Sequence, residues 1–214
     1  KMPKGLSMHS SMIIGTAVFT AAECLQKLEH SGMTPASGPV LVTGATGGVG
    51  SVAVKLLAQL GYEVAAVTGK EDKHDFLRSL GASEILSREE ANAGSDKPML
   101  AERWGGVVDT VGGDILFNGV KSLRYGCSLA ACGLVAAPVF SASVLPFILR
   151  HVNLLGIDSV QLPIGEKAEI WHRLGEEWLM DLSDLEEVLA LDDLSGAIDR
   201  ILSGQMVGRG VVHL

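Results

Sequence analysis

Val42–Gly50, VTGATGGVG, places four glycines in seven residues between an apolar run and a helical pattern. Glycine loses more conformational freedom on folding than any other residue, so such a cluster implies a backbone that turns sharply or lies against a bulky group. Pro39–Val42 reads as a short buried strand, and Ser51–Leu60 as a helix with apolar residues at 52, 53, 56, 57 and 60, stopped by Gly61. Strand, glycine turn and helix aim unpaired backbone N–H groups and the positive end of a helix dipole at one point, which suits a pyrophosphate.

Three fingerprints compete for these residues. A P-loop needs G-x-x-x-x-G-K-[ST], and no Gly-Lys-Ser/Thr follows, which argues against nucleotide hydrolysis. The short-chain dehydrogenase pattern T-G-x-x-x-G-x-G fits Thr43, Gly44, Gly48 and Gly50. Its Tyr-x-x-x-Lys proton-transfer pair is missing, because Tyr62 and Tyr125 have Ala66 and Leu129 four residues on. The remaining reading is a dinucleotide site with Gly44, Gly47 and Gly50 at three-residue spacing, a variant of G-x-G-x-x-G.

Outward from the loop, strands and helices alternate. A helix over Ser7–His30 leads through a turn-rich link into the first strand. Tyr62–Val67 is strand two, Lys70–Leu80 a helix, Glu84–Leu86 strand three and Gly106–Asp109 strand four. Gly113–Leu123 is a helix, Cys127–Cys132 strand five and Val152–Ile157 strand six. Residues 88–103 are polar and read as helix or loop. Gly165–Leu179 reads as an amphipathic helix whose Trp171 and Trp178 are packing residues, and the tail as a strand near Leu185–Leu191, a helix over Asp192–Leu202 and a last strand at Gly210–Val212. The alternation predicts an α/β fold with a doubly wound parallel sheet.

Composition bounds the function. With 214 residues, 47% of them hydrophobic, the chain buries one sizeable core and part of a second. A net charge of −8 argues against a nucleic-acid surface, and no apolar run reaches the ~18 residues of a membrane span. Cys24, Cys127 and Cys132 suggest neither a disulfide framework nor a zinc cluster, so a cytoplasmic setting is expected. His9, His30, His74, His151, His172 and His213 lack metal-ligand spacing and read as structural or surface residues, so no metal is expected. The opening Lys1-Met2-Pro3-Lys4 reads as the start of an excised piece.

Cofactor choice is read at the end of strand two. An NAD site normally has an acid there, about twenty residues past the glycines. Here Val67-Thr68-Gly69-Lys70 offers a hydroxyl donor, a close backbone approach and a cation, with Arg88 beyond strand three as a second cation, which favours NADP(H). Asp109, at the carboxyl end of its strand, either binds a ligand or caps the next turn, and is left out of the site.

TAVFTAAECLQKLE (16–29), VTGATGGVGSVAVKLLAQLGYEVAAVTGK (42–70), LRSLGASEIL (77–86), RWGGVVDTVGG (103–113), AACGL (130–134), VLPFILRHVNLLGIDSV (144–160) and LSGQMVGRGVVHL (202–214) resemble the zinc-free medium-chain dehydrogenase/reductases, in particular the acryloyl-CoA reductase and quinone oxidoreductase group. The resemblance implies a Rossmann-type domain over residues 1–183, with 184–214 returning to a GroES-like substrate domain that this chain does not contain. It implies NADPH-dependent reduction of an activated C=C bond, acryloyl-CoA to propionyl-CoA being the type reaction. An enone or quinone reductase, or a non-catalytic NADPH-binding module, are the alternatives. Carried over by residue, Thr46, Gly47, Gly48 and Val49 would meet the pyrophosphate, Thr68, Gly69, Lys70 and Arg88 the 2′-phosphate end, and Leu134, Ile148 and Ser159 the nicotinamide side. For Leu134 and Ile148 plain core packing is an equal alternative. No catalytic residue or proton donor is assigned, and the chain alone is expected to turn over poorly. Related reductases pair through strand six, so Val152–Ile157 suggests a homodimer, although a buried central strand explains the same run.

Overall fold

Residues 2–213 are described by a computed structural model, so Lys1 of the opening stretch and Leu214 of the closing one lie outside the described residues. In chain order the elements are α1 (Met8–His30), β1 (Val40–Val42), α2 (Gly48–Gln59), β2 (Val64–Val67), α3 (His74–Ser79), β3 (Glu84–Leu86) and the single turn α4 (Arg88–Ala91). Then follow β4 (Gly106–Asp109), α5 (Gly113–Lys121), β5 (Ser128–Ala131), α6 (Leu145–Arg150), β6 (Asn153–Gly156), α7 (Ile164–Leu174), β7 (Glu186–Ala190), α8 (Leu194–Leu202) and β8 (Arg209–His213).

Six strands form one sheet in the order β3-β2-β1-β4-β5-β6, every pairing parallel. Each crossover must cover a sheet face, so the inner strands β1, β2 and β4 are buried on both sides. Side chains of β1 divide by the period of two: Val40 and Val42 join the core under α1, α2 and α7, whereas Leu41 joins Val107, Leu116, Phe117 and Leu129 on the α5 side. Leu25, Leu56 and Leu57 are essentially solvent-free in the first of these cores, each contributing about 1.5–3 kcal/mol through burial. The strand order reverses between β1 and β4, since β2 and β3 are added on one side of β1 and β4 to β6 on the other, and this opens a crevice at their carboxyl ends.

β7 and β8 pair in parallel as a separate two-stranded sheet, with α8 as the crossover. This unit touches the larger one through Arg209, whose Nε donates to the Ile13 carbonyl (3.0 Å) beside a kink of α1 at Gly15.

Three expectations need correction. The helix after the glycine loop begins at Gly48, not Ser51, so the last glycines form its first turn. The helix expected over Gly165–Leu179 ends at Leu174, and Trp178 lies beyond it, buried beneath the Arg173 guanidinium (3.4 Å to the ring centroid). Strand six is not central: β6 is the sheet's outer strand, with Leu154 37% exposed.

Candidate functional site

The glycine loop runs from β1 into α2 at the reversal point of the sheet. Gly44 has φ +60°, and a Cβ there would lie 2.3 Å from the Thr110 hydroxyl and 2.9 Å from Val111. Gly50 has no room either, since a Cβ would meet the Gly44 carbonyl oxygen at 2.3 Å. The first approach lets the loop lie against the segment after β4, and the second seats the first turn of α2 directly on the loop. Gly47 caps the helix without a side-chain hydrogen bond, and Ser51 N–H is the first to find a carbonyl, that of Gly47 (2.9 Å). Among the described residues the amides of Gly48, Val49 and Gly50 thus stay without a carbonyl partner, the free donors that a helix start leaves for an anion, and Gly48 lines the crevice.

A buried network holds the loop against β4. The Thr43 hydroxyl donates to Asp109 Oδ1 (2.6 Å) and accepts from Thr110 N–H (3.0 Å), while the Thr110 hydroxyl donates to the Thr43 carbonyl (2.8 Å). Asp109 Oδ2 accepts from Gly112 N–H (2.8 Å). Burial raises the Asp109 carboxyl above its ordinary range, and the bonds from Thr43 and Gly112 offset part of that rise. Of its two alternative roles the structure gives it the capping one.

Two adjoining cavities, of about 430 and 480 Å³, open at the carboxyl ends of the strands. Thr46 and Arg88 line both, Thr68 and Gly69 the first, and Gly47, Gly48 and Lys70 the second. Four candidates fall outside both linings. The Val49 side chain packs against the core under α1 and α2, and Ser159 accepts from the Thr20 hydroxyl of α1 (3.1 Å). Leu134 and Ile148 are 66% and 70% exposed, which rules out the core-packing alternative for them.

The two cations differ. Lys70 Nζ donates to the Met206 carbonyl (3.0 Å), and burial lowers its pKa, with Asp72 opposing. The Arg88 guanidinium makes no hydrogen bond or ion pair among the described residues, and its Nε comes within 2.6 Å of where a Gly69 Cβ would sit. The free cation of the site is therefore Arg88. Thr68 accepts from Lys70 N–H (3.0 Å), which leaves its own hydroxyl proton to donate.

Other lining residues were not foreseen. Thr110–Gly113 follow β4 at its carboxyl end, where ligands of open parallel sheets bind, and that position alone could have flagged them. Met206, Gly208 and Arg209 arrive from the far end of the chain, Gly208 N–H donating to the Thr46 carbonyl (3.3 Å), and no local pattern announces this.

The model of the zinc-binding dehydrogenase family matches residues 48–176. Acrylyl-CoA reductase AcuI of Ruegeria pomeroyi is 48% identical over all of this chain, which spans 65% of that protein. The yhdH oxidoreductase from Salmonella enterica, solved in complex with NADP, is 44% identical with a TM-score of 0.93, again over all of this chain and 65% of the other. Bacillus subtilis protein yhfP, solved with NAD bound, is 43% identical with a TM-score of 0.96 and the same coverage. The chain thus spans about two thirds of the length of the relatives it matches.

Proposed function

The chain belongs to the zinc-binding dehydrogenase family, and from that premise we propose that it is the NADP(H)-binding portion of an oxidoreductase that reduces an activated C=C bond, an acryloyl thioester being the substrate class. One observation carries the cofactor reading: Arg88 and the free Thr68 hydroxyl stand at the cavity wall where an NAD site places an acid, beside the amide cradle of α2. The substrate class is supported by the reductase named above, with which the chain shares 48% identity.

In this reading the bound nicotinamide supplies a hydride. The chain's own residues bind and orient: the first turn of α2 holds the diphosphate, Arg88 pairs with a 2′-phosphate, and the network of Thr43, Asp109 and Thr110 keeps the loop in register with β4. Asp114 is the one residue lining the two cavities that could ligate zinc, too few for a catalytic zinc held by these residues, so this part of the site would act on the substrate through hydrogen bonds. Residues 184–214 are assigned as the segment that returns to a substrate domain, and the setting as cytoplasmic; no helix among the described residues is long and apolar enough to cross a membrane.

Calorimetric titration with NADPH and NADH in parallel tests this, followed by assays with acryloyl-CoA and a simple quinone on the chain and on any longer reading frame that contains it, chelator present. NADPH is expected to bind at least ~10-fold more tightly than NADH. Heat from neither coenzyme would sink the reading, and the NAD held by yhfP is why the NADH arm matters.

We also infer that two copies pair through β6, whose outer edge has no partner strand among the described residues and whose Leu154 is exposed. Sedimentation velocity at micromolar concentration is expected to return twice the mass of the chain; a single-chain mass contradicts pairing.

A further inference from the structure

Three side chains with metal-binding chemistry meet where the start of α1 crosses the small sheet. His9 Nε2 lies 3.0 Å from Glu186 Oε2, and the His9 and His213 rings stand edge to face with centroids 5.4 Å apart. One donor atom from each of the three falls within 4.8 Å of the others.

The carboxylate is the informative member. Its side chain is only 10% exposed, and Oε1 is buried with no hydrogen-bond partner. A buried carboxylate oxygen without a donor pays its full desolvation cost. His9 can satisfy Oε2, but nothing among the described residues satisfies Oε1. Both imidazoles are at the surface, so an ion can enter and the rings can turn toward it. None of the three residues lines either cavity of the cofactor site.

We propose that His9, Glu186 and His213 form a binding site for a divalent cation of the zinc class, which clips α1 to the β7–β8 sheet. Two imidazole nitrogens and one carboxylate oxygen are ligands that zinc takes at roughly 2.0–2.2 Å in a tetrahedron, with water in the fourth position. Donors so placed sit roughly 3.3 Å apart, and rotation of the exposed histidines closes the present gaps to that distance. Magnesium and calcium prefer six or more oxygen ligands and are poorly served here.

The test uses the untagged full chain, its Glu186→Gln and His9→Ala variants, and His172→Ala as a control that removes an exposed histidine elsewhere. Zinc chloride titrated in a calorimeter is expected to show one saturable site per chain, weakened at least ~10-fold in the first two variants and unchanged in the control. At a hundred times Kd, zinc is expected to raise Tm by roughly 5–10 °C in the parent chain, and magnesium to do nothing. X-ray absorption of the zinc complex should show a nitrogen and oxygen shell near ~2.0 Å. No saturable zinc heat, equal zinc affinity in Glu186→Gln and His9→Ala, magnesium binding as tight as zinc, or a sulfur shell near ~2.3 Å each overturns the proposal. His9 is exposed and its loss leaves the cores intact, so melting in metal-free buffer separates a lost site from a lost fold.

Discussion

Arg88→Ala is expected to weaken NADPH binding by about 2–3 kcal/mol, roughly 30- to 150-fold in Kd, while NADH binding stays within about twofold. The asymmetry follows from what each cation is already doing. A guanidinium with no protein partner loses little on meeting a phosphate beyond its own water, and a bidentate charged contact is among the strongest available. Lys70 must give up the Met206 carbonyl before it can do the same, and burial already disfavours its charge. The measurement is calorimetry with both coenzymes on both chains. An equal loss for NADH would mean that Arg88 meets the adenosine or diphosphate, and not the additional phosphate.

Gly133→Ala is the substitution expected to damage the fold most. Gly133 leaves β5 at its carboxyl end, and a Cβ there would lie 1.8 Å from the Thr110 carbonyl oxygen and 2.1 Å from its carbon. Both are backbone atoms of the segment that the Thr43 and Asp109 network holds in place, so neither can swing aside as a side chain would. Relief requires β4 and β5 to separate where the cavities open. A cost of about 4 kcal/mol is expected, a fall in Tm of roughly 8–16 °C, together with loss of coenzyme binding. Chemical denaturation checks the first, and a variant with unchanged midpoint would show that the two strand ends tolerate spreading.

The sheet was legible because its elements carry strong periodic signals. β3 and β4 lie within the limits that their apolar runs and flanking glycines suggest, and the remaining strands of the large sheet differ by a residue or two at their ends. What was not legible depends on partners distant in sequence. Leu145–Arg150 forms a helix of six residues opened by Pro146, too short to show a 3.6-residue period. Val152–Ile157 is apolar enough for a central strand, yet it lies at the sheet margin, because nothing in a six-residue run states what lies on its far side.

The site divides in the same way. Thr46, Gly47, Gly48, Thr68, Gly69, Lys70 and Arg88 surround the cavities because loop, strand end and helix start follow one another along the chain. Which of two cations is unengaged depends on Met206, which reaches Lys70 only through the path of the C-terminal segment. Similarly, histidines without any metal-ligand spacing meet across α1 and β8, so their scattered order in the sequence says nothing about their separation in space.

The bond from Lys70 to the Met206 carbonyl couples two events that a static view treats separately. A polyanion that recruits this ammonium leaves a carbonyl in need of a new donor, so the end of the chain and the ligand compete for one proton-bearing group. Reciprocity then requires that whatever fastens residues 204–208 more firmly also makes the ammonium harder to recruit. Residues more than a hundred positions from the glycine turn in sequence would thereby set how tightly it could hold a guest.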